Sequence, residues 1–375
     1  MAHAYTPGLR VTAGATVRKE RRLPIAGKVT VERRAHVRAE DVVARAELPG
    51  DVETVNVVNK LAIAPGDLER FMLKGVGDSV AKDEALAETR PWLRFFRSVA
   101  RSPIDGVVET ISPVTGQVLL RTPPQPVDVR AYIDGTVVEV YENEGVVVET
   151  YGALIQGILG IGGEVTGELA IVADGPDSTI SPEDLSEDLA GKCVVAGAIV
   201  TSEVFARAAR LGVSALICGG FHDSDLRALL GYDLGVAITG HEDIKPILIM
   251  TEGFGRIAMA QATYDLLSAN AGRRASANGA TQIRAGVLRP EIIIPSDSTG
   301  GTARAKEQHE PAGLTEGSPV RIIRQPGFGR LGAVKSLPPG THPVECETRV
   351  RVVEIEFANG ETAIVPRANI EAIES

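Results

Sequence analysis

The stretch GKVTVERRAHVRAEDVVARAEL (residues 27–48) alternates apolar and polar positions, the period-two pattern of half-buried strands. Short runs of this kind, cut by Gly, Pro and Asp, continue to about residue 150. Two of them are half-repeats. SPIDGVVETISPVTGQVLL (102–120) is followed by AYIDGTVVEVYENEGVVVE (131–149), and each carries Ile-Asp-Gly and then Val interleaved with Glu. Past Thr150 the texture changes. YGALIQGILGIGGEVTGELAIV is apolar and glycine-rich, which predicts close backbone approach, either in tight packing or at a pocket wall. LAGKCVVAGAIVTSEVFARAARLGVSALICGG then reads as strand, loop, helix, strand. Val194 and Val195 begin a buried strand, and Thr201 or Ser202 caps a helix with Glu203 in its first turn. Val204, Ala208 and Leu211 form that helix's apolar face. Such a βαβ unit predicts parallel strands with a right-handed crossover. IKPILIMTEGFGRIAMAQATYDLLSANAG repeats the order: a strand, the turn Thr251–Gly255, then a helix ending at Gly272.

Residues 296–313, SDSTGGTARAKEQHEPAG, have no apolar periodicity and read as a flexible linker. Short strands with glycine turns resume over 314–375, with Asn359-Gly360 as a hairpin turn. The predicted plan is therefore a β domain over 1–150, an α/β domain over 151–295, the linker, and a small β barrel over 314–375.

Composition narrows the setting. Cys193, Cys218 and Cys346 are far apart with no CxxC spacing, which argues for a reducing compartment and against a zinc ribbon or a disulfide framework. The first two sit in apolar strands, as core residues do. The opening MAHAYTPGLRVTAGATVRKERRLP has no apolar signal region, and no run reaches the ~18 apolar residues of a membrane span. A cytoplasmic protein with no membrane insertion is expected. The net charge of −10 opposes general nucleic-acid binding. One basic stretch, Arg18, Lys19, Arg21, Arg22, Arg33, Arg34 and Arg38, is either a solvated face or a phosphate contact.

GVGDSVAKDEALAET (75–89), continued by SPIDGVVETI, resembles the hairpins of biotinyl/lipoyl domains. That family, the barrel-sandwich hybrid, includes carrier domains, membrane-fusion adaptors and a domain in the C subunit of Rnf-type electron-transport complexes. The resemblance implies a β scaffold whose carriers bear a cofactor on a lysine between the two halves. Here that position holds RPWLRFFRSVAR (90–101), which contains no lysine, and Lys82 lies in the preceding turn. No carrier cofactor is expected. Trp92, Arg94, Phe95 and Phe96 instead combine aromatic and guanidinium groups, which are enriched at interface hot spots, although the rings equally suit a plug at a barrel end. The C-terminal segment resembles a KOW domain, an SH3-like barrel, through Gly317, Val320, Ile322, Pro326, Gly329, Gly332 and Val334. That resemblance implies contact with RNA or with proteins of the gene-expression machinery. Seven basic residues against eight acidic ones leave the barrel near neutral, which favours protein docking. Arg321, Arg324 and Arg330, with Lys335, are the basic residues that could cluster.

The expected fold class is thus multidomain α/β plus all-β: a β-rich barrel-sandwich hybrid, a central α/β domain with βαβ units, and a C-terminal SH3-like barrel. In open α/β sheets ligands bind at the carboxyl ends of strands. His222 and Asp223 follow one such strand, and Glu252, Gly253 and Gly255 follow another. Helix N-termini there can hold an anion, with Arg284 adding positive charge. Asp223 serves equally as a helix cap. TEGFG has no phosphate-loop layout, and neither a nucleophile–base pair nor a metal cluster is spaced interpretably. Three readings follow in order. The first is a non-enzymatic binding or scaffold protein that docks onto a protein partner or self-assembles, through Trp92, Arg94, Phe95, Phe96, Arg321, Arg324 and Arg330. The second is a small-molecule-binding or enzymatic α/β domain with a cleft around Asp223, Glu252 and Arg284. Nucleic-acid association through the barrel ranks third. No metal or cofactor is expected in any of them.

Overall fold

The structure, a computed structural model, describes residues 9–89, 97–231, 240, 242, 244–282, 288–296, 314–322, 327, 330–343, 349–357 and 359–374. It is strand-rich and built from several sheets. Strand β1 (Leu9–Arg22) and β2 (Val42–Leu48) come from the first alternating stretches. Their partners arrive much later in the chain, as β3 (Gln125–Arg130) and β4 (Gly145–Gln156). β1 pairs antiparallel with β4 from Val11↔Ile155 to Arg22↔Gly145, and β2 pairs antiparallel with β3 from Leu48↔Gln125 to Val42↔Arg130. Alternation places Val17, Val43, Val146, Val148 and Leu154 in one core with Ile133 and Val137.

Between β2 and β3 the chain leaves to build a head. Every buried member of the head's core lies within residues 55–120, including Leu68, Leu86, Val108, Val118 and Leu120. Strands Val52–Asn56, Gln117–Arg121, Gly106–Ile111 and Ser79–Val80 lie side by side in that order, and Ala85–Glu88 pairs with Val99–Arg101. Of the two half-repeats, 102–120 falls in the head and 131–149 outside it; Gly116 (φ 71°) and its counterpart Gly145 (φ 152°) both hold positive φ at the turn into a strand. At the neck the two chain passages touch. The Thr122 amide donates to the Asp51 carbonyl at 2.9 Å, and a Cβ on Gly50 would lie 1.8 Å from the Thr122 carbonyl oxygen. Only glycine fits there.

The central part holds β5 (Cys193–Val195), α1 (Ser202–Leu211), β6 (Ala215–Phe221), α2 (Asp223–Leu230), β7 (Ile247–Phe254), α3 (Gln261–Ala269) and β8 (Glu291–Pro295). β5, β6 and β7 are parallel neighbours, as the βαβ pattern predicted. Their residues alternate between two cores. Val194, Leu216, Cys218, Leu248 and Met250 face Val204, Phe205 and Ala208 of α1 and Leu226 of α2. Cys193, Val195, Ile217 and Ile249 face Leu267 of α3, with Ile292 and Ile294 of β8. These strands are apolar on both sides because both sides are covered. α1 begins where its cap predicted, with Thr201 Oγ1 accepting from the Val204 amide, and it ends at Gly212 in the left-handed conformation. The change of texture at residue 150 does not break the sheet. β4 runs through it unbroken, paired with β1 and then with β8.

Beyond residue 313, β9 (Pro319–Ile322) and β10 (Ile370–Glu374) pair with each other. Strands Leu331–Ser336, Val352–Phe357 and Thr362–Pro366 complete the sheet around Val320, Ile322, Val334, Val353, Ile355 and Phe357. β10 also runs parallel to β1, with Leu9 opposite Ile373, so this sheet is joined to the first strand of the protein.

Candidate functional site

β7 carries a charged residue where a central strand should carry none. Ile247–Phe254 reads ILIMTEGF, and its first seven residues are buried, Glu252 at 1% exposure. The strand takes in the first four residues of the turn expected over Thr251–Gly255, which places Glu252 inside it. A carboxylate in that position requires a partner. The Glu252 side chain accepts from the Ala260 amide through Oε1 at 2.9 Å, and Ala260 is the N-cap residue of α3, with no side-chain cap of its own. The carboxylate therefore supplies that helix's N-terminal acceptor from across a loop, where the helix dipole favours negative charge. Its other oxygen, Oε2, is ion-paired with the guanidinium of Arg321, which is 3% exposed. Arg321 lies on β9, in the C-terminal sheet, and also donates through Nη1 to the Thr251 carbonyl at 3.3 Å. Its Nε has no hydrogen-bond partner, so the pair is buried and incompletely satisfied.

The structure thus brings together two residues that sequence reasoning assigned to different jobs. Arg321 was expected on an exposed basic surface and is instead the inward-pointing one. Of its companions, Arg330 lies over the Phe357 ring at 3.6 Å and pairs with Glu361 at 2.7 Å. Asp223 and Glu252 share the carboxyl end of neighbouring strands but do not share an environment. Asp223 opens α2, half-exposed, and pairs with Arg227 one turn on at 2.8 Å, while His222 is an exposed N-cap residue whose side chain makes no cap bond. Gly253 (φ 133°) and Gly255 (φ 89°) serve the path of the chain out of β7. That path runs against β6, where a Cβ on Gly220 would lie 2.1 Å from the Gly255 carbonyl oxygen. Gly220→Ala is expected to cost about 1–3 kcal/mol by overpacking, read as a lowered denaturation midpoint; an unchanged midpoint would show that the loop yields freely. Trp92, Arg94, Phe95, Phe96, Arg284 and Arg324 lie outside the described residues. A sequence signal for the pair did exist: one acid and one base, each inside an apolar strand.

A second constellation takes in Lys19 and Arg21 of the basic stretch, together with partners that the sequence reading did not name. Tyr132 is 3% exposed and holds φ 70°, a conformation that costs a bulky residue about 1–3 kcal/mol. Its hydroxyl donates to Glu291 Oε1 at 3.3 Å, and Lys19 Nζ meets the same oxygen at 2.5 Å. Arg21 lies 5.4 Å from the Tyr132 ring centroid and grips Glu164 through both Nη atoms at 2.7 Å. Burial, and then the Glu291 charge, push the Tyr132 phenol well above its ordinary value. Tyr132 floors an open cleft of about 780 Å³ between the β1 and β3 strands and the strand Glu164–Ile171.

Among the described residues no group of three or more His, Cys, Asp or Glu could hold a metal ion, and no helix is long and apolar enough to cross a membrane. No protein-family model matches the chain, and no curated protein matches it.

Proposed function

We propose that this is a non-catalytic binding protein that presents its head, residues 52–121, to a protein partner. The buried Arg321–Glu252 pair carries this reading. At Glu252, where a ligand would enter, the side chain of Arg321 from the chain's own C-terminal sheet already meets the carboxylate, so the pair supports a hub that fixes modules to one another. The same pair removes support from a ligand cleft shared by Asp223, Glu252 and Arg284. The head fits the part of a docking element because its core is its own and it hangs on two touching chain passages. In this reading the head is the barrel-sandwich hybrid, with Trp92, Arg94, Phe95 and Phe96 as the contact residues, and residues 314–375 are the SH3-like barrel. The free, buried Cys193 and Cys218 accord with work in the cytoplasm.

Nucleic acid ranks below protein as the partner, because the basic face of β1 is already neutralised. Arg18 meets Glu149 at 2.6 Å, Lys19 meets Glu291, Arg21 meets Glu164, and Arg22 meets Glu20 and Glu144. Phosphate binding needs such charges unpaired and clustered.

The test is quantitative capture from native-host lysate by full-length bait, comparing wild type with the triple variant Trp92→Ala, Phe95→Ala, Phe96→Ala. Truncated hot-spot residues cost about 2 kcal/mol or more each. Specific partners should therefore fall at least about tenfold at an unchanged thermal midpoint. Equal capture by both baits would overturn the assignment of the head.

A further inference from the structure

The cleft floored by Tyr132 joins two separately cored parts of the protein. Its charges are arranged unevenly. Each of its four acids already has a cation: Glu164 has Arg21, Glu20 has Arg22, Asp128 has Arg45 at 2.5 Å, and Glu40 has Arg274. Two cations that line it, Arg130 and Lys245, have no ion-pair partner among the described residues. Arg130 ends β3, on the N-terminal side of the cleft. Lys245 stands just before β7, on the α/β side. Both are exposed. The surroundings are fixed in advance of any ligand, because Arg21 is held at once by Glu164, by the Tyr132 ring and by the Arg130 carbonyl, to which its Nε donates at 2.7 Å. Backbone held in a rarely populated conformation beneath a cleft of ligand size is an arrangement found at binding sites.

We propose that this cleft binds a small dianion, a phosphomonoester or a dicarboxylate, between Arg130 and Lys245. Two cations outside any ion pair among the described residues face one cavity whose four acids each meet an arginine, two of those arginines being shared with a further acid. This suits an anion that engages both cations at once. Arg130 would take two oxygens of the anion side by side, as guanidinium groups do with phosphate and carboxylate, and Lys245 would meet it as a point charge. The ligand would touch both walls of the cleft. Its binding would report on how the N-terminal β layer sits against the parallel sheet, which is a property separate from what the head captures.

Isothermal titration of the full chain at low ionic strength tests this, with inorganic phosphate, glycerol 2-phosphate, succinate and acetate as probes. Saturable binding of a dianion is expected, with acetate weaker by about tenfold or more, since it lacks the second charge. Arg130→Gln and Lys245→Gln should each weaken the dianion by about tenfold, and the double variant should abolish binding. Arg33→Gln, which alters an exposed arginine outside the cleft, should change nothing. A preference for glycerol 2-phosphate over succinate assigns a phosphomonoester, and the reverse assigns a dicarboxylate. The proposal is overturned if no dianion binds wild type, or if binding survives undiminished in the double variant. Thermal midpoints of the variants, both altered at exposed side chains, should equal that of wild type.

Discussion

Glu252→Ala is expected to lower the free energy of unfolding by about 3–5 kcal/mol, the usual cost of leaving one member of a buried ion pair alone. Two consequences of the substitution act together. Arg321 keeps its charge at 3% exposure with nothing opposite it, and the Ala260 amide loses the acceptor that starts α3. Glu252→Gln separates them, because a carboxamide oxygen can still accept from Ala260 while the charge on Arg321 goes uncompensated; its cost should lie below that of alanine. The informative partner is the double variant Glu252→Leu with Arg321→Met. Removing both charges and refilling the volume should restore wild-type stability to within about 1 kcal/mol or exceed it, since the pair's desolvation disappears along with its attraction. Urea denaturation followed by far-ultraviolet circular dichroism reads all three. A single-variant cost under about 1 kcal/mol would mean that the guanidinium escapes to water by moving the C-terminal sheet. The pair would then not hold that sheet in place.

The second large effect is alkaline. Burial pushes the thiols of Cys193 and Cys218 from 9.0 to about 12. A raised native value means that stability is complete below the unfolded value and is lost as pH climbs toward the native one. Between pH 9 and pH 12 the unfolded chain gives up these protons while the folded chain keeps them, so each thiol subtracts about 1.4 kcal/mol per pH unit across that window. At pH 10.5 the two together should remove roughly 4 kcal/mol relative to pH 7.5. The double variant Cys193→Ala, Cys218→Ala starts less stable at neutral pH because of the volume it loses, yet its stability should fall much less over the same range. Tyr132 adds a smaller decline of the same sign, beginning near pH 10, which Tyr132→Phe should remove. Parallel curves for wild type and the double cysteine variant would show that the thiols are reached by solvent.

What could be read from the sequence follows from the range of the forces involved. The start of helix α1 was legible because caps act within four residues, Thr201 on Val204. The buried strands β5 and β6 were legible as apolar runs, as was β7 as far as Met250. The half-repeats were legible as sequence, and Gly116 and Gly145 hold positive φ at matching turns, but nothing in the pattern showed that one half lies in the head and the other outside it. Strand partners were not legible, since alternation in β1 shows that one side is buried and leaves open what covers it. The head was hidden for the same reason: an excursion between two paired strands looks, in one dimension, like more strands. Glu252 and Arg321 each looked like a surface residue or a ligand contact, because their mutual neutralisation exists only once β9 is laid against β7. Tyr132 carried no signal at all. Its left-handed backbone is imposed by packing, in a residue type that would not choose it.

The pairing of β1 with β4 also sets an order of events during synthesis. β1 leaves the ribosome before the head, and its partner emerges only after the entire head. The head's core lies wholly within residues 55–120, so it can close while β1 and β2 are still waiting. Throughout that interval β1 is a 14-residue strand with both edges open, the kind of segment that joins strands from neighbouring nascent chains. Its second half reads Arg18, Lys19, Glu20, Arg21, Arg22, and a run so charged is poorly suited to stacking on copies of itself. The residues that later neutralise it, Glu149, Glu164 and Glu291, are all translated after the head. The same charges that end in ion pairs thus first act as a temporary guard on an unpaired strand.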